Sequence, residues 1–251
     1  MKIIACYNIK GGVGKTATAV NLAYLASREG ARTLVLDLDP QGAASFYFRI
    51  KPKIKGGVKK LIDGKRDLNE LIKGTDYANL DLIPTDFSFR NMDLLLEDEK
   101  KPTRRLRKLL KSLNDEYDYA FLDCPPSISL VSENIFQAAD ALVVPTIPST
   151  LSLRTLDQLL KFCKENKLDN LMVLPFFSMV DARKQLHRFI VEKPPKTLGG
   201  FLHSVIPYAS EVERMGLKRA ALASYAPKSR PALAYELLWE EIKVYLARIV
   251  H

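Results

Sequence analysis

Apolar residues along the chain fall into two alternating rhythms. Short runs at residues 2–9, 32–39, 80–86, 118–125, 141–148, 171–180 and 201–208 read as strands, most of them apolar on both faces. Strands buried on both faces carry such a pattern, as parallel strands covered by helices must be. Between them lie stretches with apolar residues three and four apart, the spacing of a helix that buries one face. Residues 16–30 form one of these and end in Gly30, a helix-stop signal; residues 152–166 and 232–250 form two more. Repeated strand–helix alternation predicts an α/β fold: a mostly parallel, twisted sheet flanked by helices on both faces. No repeat and no low-complexity linker interrupts it, so residues 1–251 read as one domain.

Two regions fit this rhythm poorly. Residues 49–74 mix lysines, glycines and a short amphipathic pattern. Residues 97–112 hold a dense basic run on a predicted helix, most simply a solvated face.

Composition narrows the function classes. The 251 residues suffice for a full core. No apolar run approaches the ~20 residues that cross a bilayer. Residues 2–9 are too short for the core of a secretion signal, so a leader is not expected. Cys6, Cys124 and Cys163 show neither metal-ligand spacing nor a disulfide framework, and point to a reducing cytoplasm. The net charge of +9 favours a polyanionic partner.

The sharpest chemical signal is GGVGKT at residues 11–16, which follows a predicted strand and opens a predicted helix. A phosphate-binding loop needs that context. Gly11, Gly12 and Gly14 allow a tight turn with amides facing inward. The helix after Lys15 points its positive end at the same space. Lys15 suits β- and γ-phosphates, and the Thr16 hydroxyl suits Mg²⁺. Two aspartates end later strands: Asp123, placed to hold Mg²⁺ through a bound water, and Asp39, just before Pro40. Asp37 lies two residues earlier on the same strand face, an alternative to Asp39 or a further partner of the ion. The histidines are scattered, and no Ser-His-Asp or Cys-His set stands out.

The loop departs from the usual glycine-first pattern: it reads KGGVGKT from Lys10, with Ile9 where a glycine would stand. This is the deviant Walker A motif, and it resembles the ParA/MinD family of P-loop ATPases. LDLDPQG at 36–42 is similar to the family's switch I segment. FLDCPPS at 121–127 resembles its Walker B strand and switch II turn, and residues 225–242 resemble the closing segment of ParA-type proteins.

The resemblance implies an ATPase that uses ATP and Mg²⁺ and forms a homodimer with the nucleotides sandwiched between subunits. Lys10 is then the signature lysine, crossing to the partner's phosphates. Lys15 and Asp39 complete the catalytic set, Asp39 at the switch I position that orients water. Gly11, Gly12, Val13, Gly14, Lys15, Thr16 and Ala17 cradle the phosphates, and Met179 and Pro207 stand where relatives contact adenine. Soj-like members bind DNA without sequence preference and answer to a ParB-like adaptor that stimulates hydrolysis. They work in the cytoplasm on the nucleoid and position a plasmid, chromosome or protein assembly. Arg188, Arg214, Lys218 and Arg219 are the candidate DNA contacts. A MinD-like membrane cycle is the alternative within the family. The acidic residues Glu236, Glu240 and Glu241 in the last helix argue against a cationic membrane anchor. A metabolic P-loop enzyme that activates a small substrate is the alternative of another class, and Lys10 argues against it.

Overall fold

The computed structural model describes residues 1–51, 68–85, 87–97 and 102–249. Its strands are β1 (Lys2–Cys6), β2 (Thr33–Asp37), β3 (Lys73–Gly74), β4 (Leu80–Ile83), β5 (Tyr119–Asp123), β6 (Ala141–Thr146), β7 (Met172–Val180) and β8 (Val205–Pro207). They form one sheet in the order β3-β4-β2-β5-β1-β6-β7-β8. Every neighbouring pair is parallel except β3 with β4.

Parallel strands separated by helices need covering layers on both faces. The helices are α1 (Lys15–Arg28), α2 (Ala43–Tyr47), α3 (Met92–Glu97), α4 (Arg105–Leu110), α5 (Leu130–Ala138), α6 (Thr150–Glu165), α7 (Gln185–Glu192), α8 (Ser210–Glu213), α9 (Met215–Lys218), α10 (Leu222–Tyr225) and α11 (Arg230–Leu246). Alternate residues of β1 enter opposite cores. Ile3, Ala5 and Tyr7 pack with α5 and α6. Ile4 and Cys6 pack with α1 and α11. Trp239 anchors α11 to the sheet, with its ring 5.2 Å from that of Tyr119 and 5.7 Å from that of Phe121. The three cysteines are buried and unpaired.

The predicted strands are present but shorter. The run at 201–208 shrinks to Val205–Pro207 because the amides of His203 and Ser204 donate to the Glu241 carboxylate at 2.7 and 2.9 Å. The run at 32–39 stops at Asp37, which places Asp39 in the turn beyond the strand, not at its end. The antiparallel pair β3–β4 arises in a region whose pattern is too short to read. Residues 52–67 of the first irregular region and 98–101 of the second lie outside the described residues. The rest of the basic run is helical: Pro102–Arg104 and Lys111–Leu113 wind as 3₁₀ turns on either side of α4.

Candidate active site

All strands that carry candidate residues run the same way, so their carboxyl ends meet at one edge of the sheet. The segment from Lys10 to Gly14 leaves the end of β1 there. Gly12 and Gly14 have φ of 70° and 96°, in the left-handed region that favours glycine. At Gly14 a side chain is excluded twice over, since an added Cβ would lie 3.1 Å from Ser178 Oγ. Gly14 caps α1 with no side-chain hydrogen bond, and no acidic residue lies in the first helical turn. By contrast, Ser149 caps α6 with its hydroxyl, which accepts from Ser152 N. The amides opening α1 are therefore left to an outside acceptor, and the helix dipole favours an anion.

The two lysines occupy different environments. Lys15 is buried at 7% exposure, and its Nζ donates to Lys10 O at 3.3 Å. Burial pulls its pKa below the usual lysine value against the attraction of Asp123 and Asp39. Lys10 is half-buried at the mouth, with only a long contact of 3.5 Å from its Nζ to Ser152 Oγ. Its backbone is fixed by Asn8, whose Oδ1 accepts from Lys10 N at 2.8 Å and whose Nδ2 donates to Pro145 O at 2.9 Å.

Asp37 and Asp123 face each other as register partners on β2 and β5. Both are buried. Asp37 Oδ2 accepts from Ser45 N at 2.8 Å and Ser45 Oγ at 2.7 Å, whereas its Oδ1 has no partner. Neither oxygen of Asp123 accepts a hydrogen bond. Burial, opposed by the Ser45 hydrogen bonds, raises the Asp37 carboxyl to about 6. Burial and the Asp37 charge push Asp123 well above the carboxylate range, with the nearby Thr16 hydroxyl pulling the other way. Asp39 lies half-buried in the next turn, its Oδ1 accepting from Gln41 N at 3.0 Å.

Buried carboxylate oxygens without donors, both of Asp123's and Oδ1 of Asp37, fit a hard cation. Among the described residues no group of three or more His, Cys, Asp or Glu could hold an ion alone. An ion beside Asp123, Asp37 and Thr16 would complete its shell with water and ligand oxygens, the usual habit of Mg²⁺.

Comparison with known proteins decides the family. The family described as an AAA domain matches residues 1–172. Over 247 residues, 96% of this chain and 98% of the relative, the sequence is 32% identical to the sporulation initiation inhibitor protein Soj of Bacillus subtilis. The chain belongs to the ParA/MinD family of P-loop ATPases. It is also 30% identical to the chromosome-partitioning ATPase Soj of Treponema pallidum, over 96% of each chain. Among solved structures it superposes on apo McdA of Cyanothece with a TM-score of 0.84 at 22% identity, covering 96% of this chain and 99% of that one. Cobyrinic acid a,c-diamide synthase of Mycobacterium smegmatis, with bound ADP and magnesium, gives 0.82 at 24% identity, covering 99% and 96%. At those identities the likeness shows the ParA/MinD fold alone.

The remaining candidates are more dispersed. Met179, at φ 54°, lies one residue before the end of β7, beside a cleft of about 440 Å³ shared with Asp181, His187 and Tyr208. Pro207 pairs with Val180 across β7 and β8 at the same edge. Arg183 is spent on Asp181, with Nε–Oδ1 and Nη2–Oδ2 distances of 2.9 Å. Arg188 donates to Ala182 O at 2.9 Å. Arg214 and Lys218 are exposed. Arg219 instead sits 4.6 Å from the Phe46 ring centroid, and its Nε donates to Phe46 O at 3.0 Å. Arg49 returns the clasp, donating to Lys218 O at 3.1 Å and Arg219 O at 3.2 Å. Sequence reasoning missed Asn8, Ser45, Ser152 and Ser178. Each acts by contact across the fold, and nothing in its local pattern marks it.

Proposed function

We propose that the whole chain acts as a single ParA-type ATPase domain that dimerises on ATP, coats nucleoid DNA in the cytoplasm and positions a cargo. The observation that carries this reading is the pair of unequal lysines. Lys15 is enclosed beside its own loop. Lys10 stands half-buried at the opening with a single weak partner, where a second subunit's phosphates could reach it.

In this reading the loop amides from Gly11 to Ala17 and Lys15 hold the triphosphate. Thr16 and Asp123 hold Mg²⁺, the latter through water, with Asp37 behind them. Magnesium, when bound, supplies charge neutralisation at the β- and γ-phosphates. Asp39 orients the attacking water. Lys10 of one subunit neutralises the charge that develops on the partner's phosphates, as an arginine finger supplied in trans does. Hydrolysis to ADP and phosphate removes what Lys10 binds, and the subunits part. Met179 and Pro207 flank the base. A ParB-like adaptor accelerates the step, and basic residues grip DNA phosphates without reading bases.

The closing helix supports DNA over membrane as the surface. α11 buries Tyr235, Leu238, Trp239, Ile242 and Leu246 in the core, and its outer side sets the exposed Leu233, Leu237 and Val244 among Glu236 and Glu240, an acidic face ill suited to an anionic membrane. No described helix is long and apolar enough to cross a membrane. The test is a gel shift on random-sequence duplex with ATP or ADP. Retardation with ATP and little with ADP is expected; equal, negligible binding in both would remove the DNA half of the reading.

A further inference from the structure

At the opposite edge of the sheet, where β1, β5 and β6 begin, lies a cavity of about 600 Å³. It sits the length of β1, five residues or roughly 16 Å, away from the phosphate loop. Arg104, Arg107, Lys108 and Lys111 line it together. They stand at i, i+3, i+4 and i+7, one stripe of the α4 segment. All four are exposed, and no carboxylate among the described residues lies within ion-pair distance of any of them. The side-chain hydrogen bond at the stripe is weak, from Arg107 to Gln137 O at 3.5 Å.

A run of like charges on a helix costs stability and is usually offset by acidic neighbours. Here the acids are engaged elsewhere or absent. Asp140, the one carboxylate lining the cavity, accepts from Ile3 N at 2.7 Å. Asp118 is held by Arg32 at 3.1 Å. Asp115 and Glu116, next along the chain, do not line the cavity. The N-terminal ammonium adds positive charge nearby and donates to Asn114 O at 3.4 Å. The floor, Ile3 and Ala138, is apolar, with Asn114 and Asp140 beside it, and the four cations of the stripe face the single Asp140 carboxylate across the cavity. Seven residues of helix span roughly 10 Å. That length faces about three successive phosphates of one duplex strand, spaced 3.4 Å along the axis.

We propose that the Arg104–Arg107–Lys108–Lys111 stripe is a principal DNA-backbone contact of this protein. This rests on the DNA-binding reading above and relocates its footprint. Of the C-terminal candidates, Arg188 and Arg219 are held by backbone carbonyls at 2.9 and 3.0 Å, whereas the hydrogen bond in the stripe is the long 3.5 Å contact of Arg107. If subunits join across the phosphate loops, the stripes lie at the two far ends of the dimer. One dimer then meets DNA at two separated points.

The experiment uses the full chain, a fluorescent random 24-base-pair duplex and anisotropy with ATP at several salt concentrations. Arg107→Ala/Lys108→Ala is compared with Arg214→Ala/Lys218→Ala and with the charge-keeping Arg107→Lys/Lys108→Arg. Circular dichroism melts check folding; Lys108→Ala/Lys111→Ala replaces the first pair if it melts early. The stripe variant should bind about tenfold or more weakly. Its slope of log K against log salt should be shallower by about 0.9 for each phosphate that is no longer neutralised. The charge-keeping variant should bind normally, and the C-terminal pair should retain most of its affinity. A stripe variant with unchanged affinity and slope overturns the assignment while leaving the DNA reading intact, even if it loses an acidic protein partner. Absence of binding by the unaltered chain overturns both.

Discussion

Replacing Ser45 by alanine tests the electrostatics of the active site. Ser45 Oγ donates to Asp37 Oδ2 at 2.7 Å, with both groups buried. A hydrogen bond to a charged group contributes ~1.5–3 kcal/mol, and one to a neutral group about 1 kcal/mol. Asp37 titrates near 6 in the folded chain, above the ordinary carboxylate value, so its ionised form is disfavoured by folding. The stability this group allows is therefore greatest below about pH 4 and declines as pH rises through 6. The decline reaches up to ~3 kcal/mol, since each tenfold difference in proton affinity between folded and unfolded chain is worth about 1.36 kcal/mol. Ser45→Ala removes a donor that lowers this pKa, so the decline extends to higher pH. Urea unfolding without nucleotide should show a loss of ~1.5–3 kcal/mol at pH 8 that shrinks to about 1 kcal/mol at pH 5. At pH 8 the melting temperature should fall by roughly 3–12 °C, at about 2–4 °C per kcal/mol for a chain of this size. An equal loss at both pH values refutes a charged Asp37 at pH 8.

Lys15→Ala should abolish binding of a fluorescent ATP analogue, whereas Lys10→Ala should keep binding but stay monomeric with ATP by sedimentation and release no phosphate. Phosphate release by Lys10→Ala at the unaltered rate would end the trans role. Gly14→Ala should cost at least ~1–2 kcal/mol from its positive φ alone. Adding Ser178→Ala, which clears the atom 3.1 Å from the new Cβ, should recover only part of the loss in a melt; full recovery would mean that crowding, not backbone strain, excludes the side chain.

The sheet was legible because its signal is local. Continuous apolar runs such as Leu34–Leu36 leave a chain few choices besides a doubly covered strand. The phosphate loop was legible for a similar reason, since glycines, lysine and threonine are contiguous. What escaped depends on contacts between distant segments. Glu241 takes the amides that would have lengthened β8, from 37 residues away. Ser178 enforces Gly14 across the fold. The basic run at 97–112 reads as a solvated face, because spacing reveals a stripe but not the shortage of acids around it. Arg219 reads as a free surface cation until the structure seats it on Phe46.

That seat ties together two segments far apart in the chain. Phe46 belongs to α2, the short helix that also presents Ser45 to Asp37, and Arg219 follows the exposed Lys218. Three hydrogen bonds and a cation on a ring tie α2 and Arg49 just beyond it to the end of α9. A shift of α2 must therefore carry the exposed end of α9 with it or break these contacts.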